Sequence, residues 1–174
     1  IRAGDVADFD NDGDEDLILQ CYNRYCFGDP NEQYYADRHS DYDWDPVGVD
    51  SSNGFVLINK DGDLSMENAI HFPKTPLGTN TKNDDMHVGD INGDGFVDVV
   101  SVYGKSDPYY VDRKIQILIN KDGTSFVDET DSRMPTDLRD ENSGHAEGLI
   151  MLVDYDGDGD LDIYDFQAGV REGK

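Results

Sequence analysis

The sequence predicts an all-β chain built from repeated four-stranded antiparallel units, and three observations carry that prediction. A nine-residue acidic loop occurs three times, at Asp8–Asp16, Asp90–Asp98 and Asp154–Asp162. Short runs with β-branched and aromatic content follow each loop: Leu17-Ile-Leu-Gln, Val99-Val-Ser-Val-Tyr and Ile163-Tyr-Asp-Phe. Such runs read as strands. A second motif, Leu-Ile-Asn-Lys-Asp-Gly, occurs at 57–62 and again at 118–123. No segment shows the apolar spacing of a helix of about ten or more residues.

The loops come first in the chain and in the argument. Each places an oxygen side chain at loop positions 1, 3, 5 and 9 and a glycine at position 6. Positions 1, 3 and 5 offer carboxylate or carboxamide oxygens, position 7 offers its backbone carbonyl, and position 9 closes the shell. The glycine permits the sharp reversal. Three copies of that arrangement read as a repeat that binds a hard cation, calcium, up to three ions in all. An EF-hand is excluded. It would need a helix after the loop and a Glu at position 12, where this chain has Leu19, Ser101 and Asp165.

The second motif follows an apolar strand each time, Phe55-Val-Leu-Ile and Ile115-Gln-Ile-Leu-Ile. Its Lys-Asp-Gly ending reads as a tight hairpin turn. Loop and hairpin together set a period of about 60 residues, close to that of radially repeated or stacked β architectures. Each unit reads as strand, calcium loop, strand, hairpin strand and a further strand. Four strands per unit make the blade of a β-propeller. The units fall at about 1–82, 83–146 and 147–174, the last one partial. The reading is therefore an incomplete ring or part of a longer chain. The first unit carries an insertion within 21–53.

Composition limits the function classes. Lys+Arg number 14 against 39 Asp+Glu, a formal net charge of −25. Three bound divalent cations would still leave the surface strongly negative. Such a surface repels phosphate backbones and anionic lipid, which argues against nucleic acid as a partner. The longest apolar run, Leu149–Val153, is far too short to span a bilayer. The two cysteines, Cys21 and Cys26, read as a local disulfide, with a pair of free thiols as the alternative.

With those residues in view, the chain resembles the FG-GAP/VCBS repeat family. The resemblance rests on Ala7-Asp-Phe-Asp-Asn-Asp-Gly-Asp-Glu-Asp-Leu-Ile-Leu, Gly89-Asp-Ile-Asn-Gly-Asp-Gly-Phe-Val-Asp-Val-Val and Val153-Asp-Tyr-Asp-Gly-Asp-Gly-Asp-Leu-Asp-Ile-Tyr. The strand-turn motif followed by Ser125-Phe-Val-Asp-Glu-Thr130 matches the later part of such repeats. The resemblance implies integrin-α-like propeller blades with calcium in the loop joining the first two strands. It also implies an extracellular or cell-surface setting and an adhesive or ligand-binding role. Carried over by position, the metal-binding residues are Asp8, Asp10, Asp12, Asp14 and Asp16; Asp90, Asn92, Asp94, Phe96 (through its carbonyl) and Asp98; and Asp154, Asp156, Asp158, Asp160 and Asp162. Literal Phe-Gly and Gly-Ala-Pro signatures are not clearly placed, and Val153 stands where Gly89 precedes the second loop.

No nucleophile elbow, HExxH, P-loop or dinucleotide fingerprint occurs. His39, His71, His87 and His145 are scattered. The balance is against an enzyme, with a polysaccharide-acting propeller kept as an alternative. The insertion holds Tyr22, Tyr25, Phe27, Tyr34, Tyr35, Tyr42 and Trp44 among acidic residues. Exposed aromatics suit sugar rings or protein hot spots, which makes Tyr34, Tyr35, Tyr42 and Trp44 candidate ligand contacts. A self-packed loop covering a blade edge is the competing reading. The sequence thus predicts an extracellular calcium-binding module for adhesion or for binding a protein or carbohydrate ligand. A structural subunit that self-associates into a larger assembly is the alternative.

Overall fold

Two Asp-Gly dipeptides punctuate the fold. Asp61 and Gly62 both have positive φ (55° and 89°), as do Asp122 and Gly123 (53° and 68°). Two successive left-handed residues make the primed turn whose twist matches antiparallel strands. The Lys60 and Asp63 backbones exchange hydrogen bonds across the first turn, and Thr124 N–H donates to the Lys121 carbonyl across the second. The computed structural model describes residues 3–20, 54–75, 81–105, 111–134 and 148–167. Cys21, Cys26, Tyr34, Tyr35, Tyr42 and Trp44 lie outside them, and so do the predicted disulfide and ligand contacts.

Strands β1 (Ala3–Ala7), β2 (Asp16–Gln20), β3 (Gly54–Leu57) and β4 (Ala69–His71) form an antiparallel sheet in chain order. Strands β5 (Thr81–Gly89), β6 (Asp98–Lys105), β7 (Val111–Lys121) and β8 (Ser125–Asp128) form a second sheet of the same order. Strands β9 (Gly148–Val153) and β10 (Asp162–Gln167) pair as a third, two-stranded unit. Each acidic loop joins the first two strands of its sheet. The fold is therefore all-β, in four-stranded antiparallel blades with no closed barrel, as the sequence predicts. A one-turn helix, α1 (Thr130–Arg133), follows β8.

The second sheet is packed on both of its faces, against the first sheet on one side and the third hairpin on the other. Ile18, Val56, Ile58 and Phe72 of the first sheet meet Met86, Val99, Leu118 and Phe126 of the second. Phe126 stacks edge-on against Phe72, ring centroids 5.2 Å apart. The other face of the second sheet (Val100, Val102, Ile117 and Ile119) packs on Ile150, Leu152 and Ile163 of the third hairpin. A strand covered on both faces needs an unbroken apolar run rather than alternation, which is why Ile117, Leu118 and Ile119 are all buried. Full burial of each such side chain contributes about 1.5–3 kcal/mol. Polar links reinforce the stacking. Gln20 Nε2 donates to Ser101 Oγ at 2.5 Å, and Arg113 grips Asp165 through both terminal nitrogens at 2.8 and 2.6 Å.

The sheets share one orientation. Asn11 Nδ2 donates to the Gly95 carbonyl at 3.1 Å, so the first two loops touch. A Cβ on Gly89, at the end of β5, would meet Leu161 in the third loop. All three acidic loops and both Asp-Gly turns therefore sit at one end. The chain passes from β2 to β3, β4 to β5, β6 to β7 and β8 to β9 at the other end.

Candidate metal centres

The three loops share one hydrogen-bond scheme, set by their residue pattern. The position 1 carboxylate turns inward and collects backbone N–H groups. Asp8 accepts from Asp12 and Gly13 (3.1 and 3.0 Å). Asp90 accepts from Gly93, Asp94 and Gly95 (2.8, 3.2 and 2.9 Å), and Asp154 from Gly157 and Gly159 (2.7 and 3.2 Å). Positions 3 and 5 each accept the N–H two residues on: Asp10, Asn92 and Asp156 at position 3, and Asp12, Asp94 and Asp158 at position 5. These Asx turns curl the backbone into a ring whose carboxylates converge.

The ring needs left-handed residues at two places. Gly13, Gly95 and Gly159 at position 6 have φ of 99°, 90° and 100°. Position 4 is left-handed as well, in Asn11 (58°), Gly93 (74°) and Gly157 (78°). Sequence reasoning singled out position 6 alone. The signal for position 4 was present, since all three loops place Asn or Gly there, the residue types that tolerate this conformation.

Position 9 has a second role. Asp16 Oδ2 accepts the Phe9 N–H at 2.7 Å, and its Oδ1 accepts the Asn59 N–H at 2.8 Å. Asp98 repeats this with Ile91 at 2.9 Å and Asn120 at 2.8 Å. Each carboxylate thereby ties its loop to the incoming hairpin strand, and both are wholly buried. Burial pushes both carboxyls above the ordinary aspartate pKa, against the lowering pull of the two N–H donors; loop carboxylates nearby add to the rise. Asp94 behaves oppositely. Exposed to solvent, it is held below the usual range by the Phe96 N–H and the Asn92 amide.

The hairpin asparagines complete the scaffold. Asn59 Oδ1 accepts the Gly62 N–H, and its Nδ2 donates to the Glu15 carbonyl in the first loop. Asn120 Oδ1 accepts the Gly123 N–H, while its Nδ2 donates to the Val97 and Phe9 carbonyls, the latter in the neighbouring sheet. Sequence assigns these asparagines no role beyond their place in the repeated Leu-Ile-Asn-Lys-Asp-Gly motif.

Ligand atoms of Asp8, Asp10 and Asp16 lie within 4.8 Å of one another, as do those of Asp154, Asp156 and Asp162. The second loop carries an amide, Asn92, at position 3 and repeats the same hydrogen bonds. Asp14, Asp158 and Asp160 are exposed at the rim. At such spacing two charges repel by about 1–3 kcal/mol between the dielectric of water and that of a protein surface. The donors are all oxygen, which suits a hard divalent cation such as calcium rather than a thiolate- or imidazole-preferring metal. The residues therefore fit calcium. It would supply the positive charge that lets these carboxylates converge, and Asp8, Asp10, Asp12 and Asp16 with their counterparts would hold it.

Residues 90–164 match a family model described as an FG-GAP-like repeat. No curated protein and no solved structure gave a match to this chain.

Proposed function

We propose, from the premise that residues 90–164 are an FG-GAP-type repeat, that this chain is a calcium-binding module of the extracellular space or cell surface. Its role is adhesion, or binding of a protein or carbohydrate ligand. The observation that carries the metal reading is the recurrence of one oxygen-lined ring in three loops, with three carboxylates gathered within 4.8 Å in the first and third. The metal holds the turns together. The loops sit at one end, and the ligand surface belongs to the other, where the residues between Gln20 and Gly54, rich in Tyr with Trp44, leave and re-enter the sheet. Among the described residues, no helix is long and apolar enough to cross a membrane.

Two measurements test this. Calorimetric titration should show calcium uptake, and chelation should lower the melting temperature; no uptake and an unchanged melt would sink the metal reading. Replacing residues 21–53 by a link the length of 106–110 should preserve calcium uptake but abolish binding to immobilised matrix proteins and glycans. Full binding by that variant would place the ligand surface elsewhere.

A further inference from the structure

We infer that the first two loops load calcium cooperatively while the third loads independently, because Asn11 and Asn120 join the first two rings. This rests on the calcium reading above and gives the coupling to two residues that are not themselves ligands. A chain of hydrogen bonds runs between the position 9 aspartates of the two loops. Asp16 Oδ2 accepts the Phe9 N–H at 2.7 Å, and the Phe9 carbonyl accepts Asn120 Nδ2 at 2.8 Å. The Asn120 N–H donates to Asp98 Oδ1 at 2.8 Å, and Asp98 Oδ2 accepts the Ile91 N–H of its own loop at 2.9 Å. Phe9, Asp16, Asp98 and Asn120 are all buried, so water does not replace a broken link.

A second link is independent of the first. Position 4 is left-handed in every loop, and the second and third loops place Gly93 and Gly157 there. The first loop places Asn11 there (φ 58°), a side chain in a conformation that glycine adopts at less cost. That side chain reaches the neighbouring ring, where its Nδ2 donates to the Gly95 carbonyl at 3.1 Å. The N–H of the same peptide group, that of Phe96, donates to Asp94 Oδ1 at 2.9 Å. The peptide before the Phe96 carbonyl, the expected position 7 ligand, is thus held at both ends, one of them by the first loop. Among the described residues, the corresponding peptides of the first and third loops are held at their N–H alone, Asp14 on Asp12 and Asp160 on Asp158.

These bonds join only closed rings. Asn11 meets Gly95 when both are left-handed, and Asn120 meets Phe9 when Asp16 holds that residue in place. Repulsion among gathered carboxylates opens an unloaded ring. An ion in either loop closes that ring and presents its half of the links to the other, which then closes at less cost. Coupling of this kind is reciprocal and typically amounts to about 5–150-fold in affinity. The third loop differs. Among the described residues its hydrogen bonds all stay within the loop, and Leu161 over Gly89 supplies an apolar contact with the second sheet.

The test titrates the full chain with calcium and reads the Gly13, Gly95 and Gly159 amide resonances, one per loop, by NMR. Asp10→Ala removes a first-loop ligand. It should weaken loading at Gly95 about tenfold and leave Gly159 unchanged. Asn11→Gly keeps the left-handed turn and removes the inter-loop bond, and in that background Asp10→Ala should weaken loading at Gly95 by about threefold or less. The Asn120 side-chain amide should shift as the first loop loads, even in an Asp94→Ala chain, and an unmoved resonance overturns its role. An effect of Asp10→Ala as large in Asn11→Gly as in the parent overturns the proposal, as does an equal effect at Gly95 and Gly159. Calcium uptake at Gly95 that ignores Asp10→Ala overturns the coupling while the calcium reading stands. No uptake at any loop overturns both.

Discussion

The two aspartates at positions 5 and 9 of the second loop should respond to substitution in opposite ways. Asp98 is wholly buried and accepts two backbone N–H groups, Ile91 at 2.9 Å and Asn120 at 2.8 Å. Truncation in Asp98→Ala strands both donors away from water. Each unsatisfied buried donor costs about 1–3 kcal/mol, so the pair costs about 2–6 kcal/mol. Relief of a buried charge trims that figure toward its lower half. Asp94 accepts the Phe96 N–H and an Asn92 amide hydrogen in solvent. Water replaces it there, and Asp94→Ala should leave the fold nearly as stable as the parent chain. The assay is urea denaturation followed by circular dichroism, run in chelator so that metal affinity plays no part. Asp98→Ala should lose more stability than Asp94→Ala by a margin on the order of 1 kcal/mol or more. With calcium restored, Asp94→Ala should bind less metal at that loop while Asp98→Ala fails on both counts. Equal stability of the two variants in chelator would refute the assignment of Asp98 to the scaffold.

Two further outcomes are expected. The calcium-free protein should gain stability as pH falls from neutral toward the ordinary aspartate value. Asp16 and Asp98 have folded-state pKa values raised by burial, so the folded chain takes up protons before the unfolded one does. Their contribution is complete below the ordinary value and lost as pH rises through the raised one. Thermal melts in chelator at pH 5 and pH 7 check the sign, and a lower melting temperature at pH 5 would contradict it. Gly123→Ala should destabilise more than Gly62→Ala. Both glycines have positive φ, but a Cβ at 123 would stand 2.5 Å from Asp10 Cα, while one at 62 meets nothing within 4 Å. The shared strain is about 1 kcal/mol, so any excess in the denaturation midpoint of Gly123→Ala measures the seat of the turn on the neighbouring loop.

Much of this architecture was legible because its determinants are local. Asp-Gly at 61–62 and 122–123 specifies a primed turn within two residues, and the side chains at loop positions 1, 3 and 5 accept N–H groups two to five positions away. The repeated spacing located the turns and the oxygen-bearing loop positions, but not the N–H groups those oxygens accept. It did not capture bonds that span sheets. Asn120 reaches the Phe9 carbonyl across 111 residues, and Asp16 meets the Asn59 N–H across 43. No local pattern encodes such distances. Strand β5 shows the other limit. Lys82-Asn-Asp-Asp has weak strand propensity, yet it pairs with β6 through a register shift between Asn83 and Asp85. Packing against neighbouring strands overrides local preference there. In the first and third loops the carboxylates at positions 1, 3 and 9 lie within 4.8 Å of one another, whereas the side chains of Asp14 and Asp160 face solvent.

The placement of loops and crossovers at opposite ends also sets what it costs this protein to change. The β2-to-β3 crossing, residues 21–53, is several times longer than the β6-to-β7 crossing at 106–110. Counted by chain length alone, the closure entropy of a connection grows only as about 1.5 RT times the logarithm of its length, so that difference amounts to about 1–2 kcal/mol. An extra residue in an acidic ring would misplace every oxygen donor after it. The crossover end is therefore an inexpensive place to graft a new loop, and the acidic end fixes the frame on which the graft is carried.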